Sequence, residues 1–100
     1  MTTKHKINRA FKELRKAGYV AKQDFACCMN CGWSELGDIP KAVFYSHQDT
    51  SRFKNYGELL LSWDGDGSEI VRIFENAGLK VNWNGSIYTK IQILADEVNA

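Results

Sequence analysis

Apolar positions recur along the chain with two periods, three-to-four and two, and the alternation between them sets out the elements. Ile7, Ala10, Phe11, Leu14 and Ala17 fall at helical spacing, which predicts an amphipathic helix over residues 4–17. Gly18 follows and suits the left-handed position that ends a helix. Tyr19 to Cys27 then reads as a strand, with polar Lys22, Gln23 and Asp24 weakening its centre. Asn30 is placed to cap a short helical turn through Trp33 and Leu36, which Gly37-Asp38-Ile39-Pro40 ends. Lys41 to Gln48 is a strand whose Val43-Phe44-Tyr45 is apolar on both faces, as an interior strand requires. The polar stretch from Asp49 to Gly57 is expected to be a loop, and Glu58 to Trp63 the next strand.

Asp64-Gly65-Asp66-Gly67 breaks that strand, and Asp66 with Glu69 has the spacing of a capping box. A calcium loop begins in the same way, but Glu69 falls too early for its twelfth position. Ile70, Ile73, Phe74 and Ala77 give a second helix its buried stripe, and Gly78 ends it. Lys80 to Trp83 and Ile87 to Leu94 read as two strands joined at Asn84-Gly85, the pair a type I′ hairpin favours. Trp63 and Trp83 alternate with polar neighbours and are expected to fill the core. Both long helices close on Ala-Gly before a strand, a weak internal echo. The fold class expected is α+β: two helices packed on one face of a mainly antiparallel sheet, in the order αβββαββ, loosely ferredoxin-like.

Composition changes this picture in two respects. A chain of 100 residues with one proline and no low-complexity tract is expected to be a single domain over residues 1–100, able to bury a core without disulfides. Charge is uneven: residues 1–22 carry a net of +6 and the remainder a net of −5, within an overall +1. The basic excess lies on the exposed face of the first helix, at Arg9, Lys12, Arg15 and Lys16, which points to docking of an acidic protein partner. No glycine-rich loop or paired stacking aromatics accompanies it, so a nucleic-acid partner is not expected. No apolar run reaches the 18 residues a membrane span needs, and no apolar segment follows Lys4 and Lys6 to make a secretory signal. The expected location is the cytoplasm, where cysteines stay reduced.

That expectation matters because all three cysteines lie in Phe25-Ala26-Cys27-Cys28-Met29-Asn30-Cys31-Gly32-Trp33. Cys28 and Cys31 have the Cys-x-x-Cys spacing that chelates one metal ion from a turn, and Cys27 is adjacent. His47 ends the next strand and Asp49, two residues on, shares its face; an antiparallel return would bring His47 alongside, giving a Cys₂His or Cys₃His zinc site from Cys27, Cys28, Cys31 and His47, with Asp49 or water as a further ligand or a support behind the ligands. The same residues admit a reactive thiol activated by His47, and also plain packing of small apolar thiols beside Trp33. His5 reads as a solvated histidine.

The run Phe25-x-Cys27-Cys28-x-x-Cys31-Gly32-Trp33-x-Glu35 resembles the signature of a bacterial family of unknown function. So do Val43-Phe44-Tyr45 leading into His47-Gln48-Asp49-Thr50, and Ala77-Gly78-Leu79 before Val81-x-Trp83. The resemblance spans most of the chain and implies that the cysteine block and the His47–Thr50 turn belong together. It supplies no activity. The leading expectation is therefore a small binding or regulatory domain whose cysteine cluster holds zinc. The alternatives are a thiol-dependent enzyme using a Cys–His pair, and a compact inhibitor or adaptor of the mobile-element type acting through its surface. Near-neutral net charge argues against a DNA mimic.

Overall fold

A computed structural model describes residues 3–94; residues 1–2 and 95–100, which the single-domain expectation also covers, lie outside it. The elements in chain order are α1 (Thr3–Lys16), β1 (Val20–Lys22), α2 (Met29–Leu36), β2 (Ala42–Phe44), α3 (His47–Tyr56), β3 (Glu58–Asp64), α4 (Gly67–Asn76), β4 (Lys80–Asn82) and β5 (Ile91–Leu94). The strands form one sheet in the order β1-β2-β3-β5-β4, and every pairing is antiparallel except β1 with β2. The α+β class with a mainly antiparallel sheet is what forms, in the fuller order αβαβαβαββ.

The echo between the two long helices has a structural cause. At the end of α1, Gly18 N–H bonds Arg15 O and Tyr19 N–H bonds Leu14 O; at the end of α4, Gly78 N–H bonds Glu75 O and Leu79 N–H bonds Phe74 O. These are two copies of one Schellman closure, in which glycine takes the positive φ that other residues avoid (+95° at Gly18, +92° at Gly78). Each copy buries an apolar pair across the stop, Leu14 with Tyr19 and Phe74 with Leu79. The two helices thus enter the core in the same way. Phe11 on α1 meets Phe74 on α4 edge-to-face at 5.7 Å and Tyr45 beyond β2 at 5.6 Å. Val43, Leu59, Leu61, Ile91 and Ile93 project from the strands into the same cluster.

Four expectations are corrected. The stretch 49–57 is not a loop, because Ser46 caps α3: its hydroxyl accepts from Asp49 N–H while the Asp49 carboxylate accepts from Ser46 N–H. That reciprocal capping box outweighs a sequence with little apolar periodicity, and Gly57 in the left-handed conformation closes the helix. Accordingly the predicted strand Lys41–Gln48 shortens to Ala42–Phe44.

Second, β1 and β2 run parallel, Val20 beside Ala42 and Lys22 beside Phe44, so the segment between them is a crossover and not an antiparallel return. Third, that crossover carries α2, which packs on the opposite side of the sheet from α1 and α4. Residues alternate across a strand, so Phe44 points away from Val43 and meets Trp33 of α2 at 5.0 Å and Phe25 at 5.8 Å. Gly32 is what lets α2 lie so close, since a Cβ there would stand 2.3 Å from Phe44 Cε2.

Fourth, Asn84-Gly85 does not make a two-residue hairpin. The Asn84 side chain accepts from Ser86 N–H and Thr89 Oγ1, holding residues 83–90 as a wider loop, so β5 begins at Ile91. The tryptophans anchor that loop as well as lining the core: Trp63 Nε1 donates to Thr89 O and Trp83 Nε1 to Ser86 O, with the rings edge-to-face at 5.6 Å.

The expected box at the start of α4 is half formed. Asp66 accepts from Ser68 and Glu69 N–H, but Glu69 takes the Tyr19 hydroxyl, at 2.8 Å, in place of the Asp66 N–H.

Candidate metal centre

Parallel pairing of β1 and β2 carries their carboxyl ends to the same edge of the sheet, and the cysteine loop leaves from there. Its path is pinned to the start of α3. Phe25 N–H bonds Tyr45 O, and His47 N–H bonds Ala26 O. Between these two bonds the chain bends through positive φ at Asp24 (52°) and Ala26 (65°), which is why the predicted strand to Cys27 stops at Lys22. The Asp24 carboxylate closes the strap: its Oδ1 lies 2.8 Å from His47 Nδ1 and accepts from Thr50 Oγ1 at 2.7 Å. These two hydrogen bonds, His47's first, hold the Asp24 carboxyl below its ordinary pKa.

Beyond the strap, α2 begins. Cys28 is its extended N-cap residue, Cys31 sits at the third position of its first turn, and Cys27 precedes the cap. The helix therefore gathers the thiols. Cys27 Sγ lies 3.3 Å from Cys31 Sγ and 3.9 Å from Cys28 Sγ, and all three sulfurs fall within 4.8 Å of one another. A tetrahedral zinc with Zn–S bonds of about 2.3 Å needs sulfurs ~3.8 Å apart, so three of four corners are close to formed. The triad could hold a metal ion.

Electrostatics set Cys28 and Cys31 apart. The backbone N–H of Cys31, followed by its side chain, stabilises a Cys28 thiolate and lowers its pKa. The Cys31 thiol is pushed up to about 11 by its hydrogen bonds to Cys27 and Cys28 and by the charge those neighbours carry when ionised.

The packing alternative for these cysteines fails on exposure: Cys27 and Cys31 are exposed and Cys28 is half-buried. Trp33 and Phe25 fill the space against Phe44 that the thiols would have taken.

The other expected site residues lie as follows. Among the described residues, the group whose ligand atoms come together is Cys27, Cys28 and Cys31, without His47 or Asp49. His47 stands beside the loop with Nδ1 on Asp24. Asp49 is buried, and its Oδ2 accepts from Ser46 N–H and Oγ, each at 2.9 Å, so its carboxylate serves α3. On the basic face, Arg9, Lys12, Arg15 and Lys16 are all exposed. Arg15 is nonetheless engaged, donating from Nε and Nη2 to Ala21 O at 3.1 and 2.8 Å and so covering a carbonyl of edge strand β1. Asp24 is the site residue the sequence did not disclose, the polar break at Lys22-Gln23-Asp24 being the available sign; Thr50, in the turn expected beside the cysteine block, is its partner.

Residues 1–98 match the family model described as a domain of unknown function (DUF6891), and the chain belongs to that family. No curated protein and no solved structure matches it. None of the described helices is long and apolar enough to cross a membrane.

Proposed function

We propose that this is a cytoplasmic binding domain in which Cys27, Cys28 and Cys31 hold a zinc ion. The observation that carries the reading is the gathering of three sulfurs within 4.8 Å at the first turn of α2. Thiolate donors favour zinc among the common divalent ions, and a three-thiolate set leaves one position open. His47 is the protein ligand we assign to it. Its Nδ1 is turned to the Asp24 carboxylate, the pairing that typically orients a metal-bound histidine, and Nε2 remains for the ion. Asp49 contributes through the cap that starts α3 at His47. The basic face of α1, at Arg9, Lys12 and Lys16, is the surface we assign to an acidic protein partner.

Metal analysis of protein purified without a polyhistidine tag tests the site. One zinc per chain is expected, lost in the Cys27→Ser/Cys28→Ser/Cys31→Ser variant, with affinity reduced at least about tenfold in His47→Ala. Because Cys27 and Cys31 are exposed and Cys28 is half-buried, the triple variant should match the metal-free protein in stability to within about 1 kcal/mol. No stoichiometric metal, with three freely titrating thiols, would remove the metal reading. The depressed Cys28 pKa favours thiol chemistry as the second reading, and iodoacetamide at pH 6 decides it: selective labelling of Cys28 in metal-free protein supports it, and slow uniform labelling removes it.

A further inference from the structure

A second candidate site lies between α1 and α3, and none of its lining residues belongs to the cysteine loop. The amino-terminal half of α1, α3 and the start of β3 enclose a cleft of about 310 Å³, at the lower end of the size range of small-molecule sites. Ile7, Tyr45 and Leu59 line it and are buried, and half-buried Phe53 lines it from α3. Lys4 and Lys54 are the charged residues of this lining, which carries no acidic one. Both lysines are exposed, and neither forms an ion pair among the described residues. Lys4 Nζ is held instead by neutral oxygens, donating to the Tyr45 hydroxyl at 2.9 Å and to Gln23 Oε1 at 3.4 Å. The carboxylate that feels its charge, Asp24, is already satisfied by His47 and Thr50.

Three other clefts among the described residues lack this combination. The one beside Arg9 also carries Glu13, so its charges oppose each other; of the two beside Lys90, the one under Trp63 encloses only about 140 Å³, and the one beside Leu60 and Trp83 has Lys90 as its single charged residue.

We propose that the cleft between α1 and α3 binds a free aliphatic carboxylate, its chain against Ile7, Phe53 and Leu59 and its carboxylate between Lys4 and Lys54. Charge complementarity selects this occupant. The lining carries two basic residues and no acidic one, so a neutral alkyl chain gains nothing from them and an alkyl cation meets like charge. The site is separate from the cysteine triad and does not depend on metal.

Amide-resolved NMR titration of the full chain with octanoate, octan-1-ol and octyltrimethylammonium tests it. Octanoate is expected to bind with a dissociation constant of about 1 mM or tighter, moving the resonances of Ile7, Thr50, Phe53 and Leu59. Octanol should bind roughly tenfold more weakly, and Lys4→Gln/Lys54→Gln should erase that preference, since two exposed charge pairs are worth about that factor together. The ammonium compound should leave these resonances in place. Equal affinity for octanoate and octanol would overturn the proposal, as would shifts confined to Arg9 and Lys12. A protein dimer that octanoate dissociates would also overturn it, by showing that a second copy fills the cleft. Repeating the titration with a chelator present separates this outcome from that of the metal reading: octanoate binding should not change.

Discussion

On the α1/α4 side of the sheet, Phe11 meets both Tyr45 and Phe74 edge-to-face, and Ile7, Leu14, Leu61, Ile70 and Ile93 are each at most 1% exposed around it. On the α2 side, among the described residues, the aromatic partners of Phe44 are Trp33 and Phe25, and Cys31 on the same helix is exposed. The first side is held by apolar area drawn from two long helices and all the central strands. The second is held by one close approach at Gly32 and by a polar strap through Asp24. Stability and candidate chemistry are thus separated across the sheet, and the separation has a reason. A sulfur cluster open to a metal needs exposed donors, which add nothing to a core; the loop that bears them is positioned by hydrogen bonds and two left-handed residues instead.

The difference between the two faces can be broken most directly by truncating the aromatic that joins both helices to the sheet. Phe11→Ala should lower unfolding free energy by about 3–5 kcal/mol, read from urea midpoints, because it leaves a cavity between α1, α4 and Tyr45. A loss no greater than that of the α2-face variant would show that the faces are equivalent. Gly32→Ala sets that scale: a Cβ 2.3 Å from Phe44 Cε2 forces α2 outward, at an expected cost of about 1–3 kcal/mol. Metal affinity should fall with it, since α2 gathers the thiols. Retained affinity would mean that the cysteine loop keeps its shape without the helix contact.

The smallest expected effects are in the pH dependence, where the two faces fail at opposite ends. Tyr19, buried and bonded to Glu69 on the α1/α4 side, has its phenol pushed up to about 12, chiefly by burial and then by that hydrogen bond. Its contribution is complete below the ordinary phenol value of about 10 and is lost as pH rises through the folded value. Asp24 is shifted the other way, by His47 first and Thr50 next. Its contribution is complete above about 3.9 and is lost as pH falls through the lower folded value. Tyr19→Phe should therefore flatten the alkaline limb of the stability profile and Asp24→Asn the acid limb, the latter weakly because the strap is half exposed. An acid limb unchanged by Asp24→Asn would show that the strap does not tie the cysteine loop to α3.

Both long helices, their identical glycine stops, the strand from Glu58 and the grouping of the three cysteines were legible in the residues alone. Each of these rests on contacts within a few residues or on an apolar period long enough to leave one face dry. What only the tertiary structure decided was the direction of β2 beside β1, and with it the place of His47. A three-residue strand carries no mark of whether its neighbour runs parallel or antiparallel; that depends on α2 finding a face on which Trp33 and Gly32 fit Phe44. Helix α3 lay between the two cases. Ser46 and Asp49 state its start in the sequence, but only burial of their carboxylate–hydroxyl pair made that local signal outweigh nine polar or weakly patterned residues. The cysteines followed the same rule in reverse: their spacing was legible, and their exposure, which turns them from packing material into candidate ligands, was set by how Phe25 and Trp33 occupy the sheet beneath them.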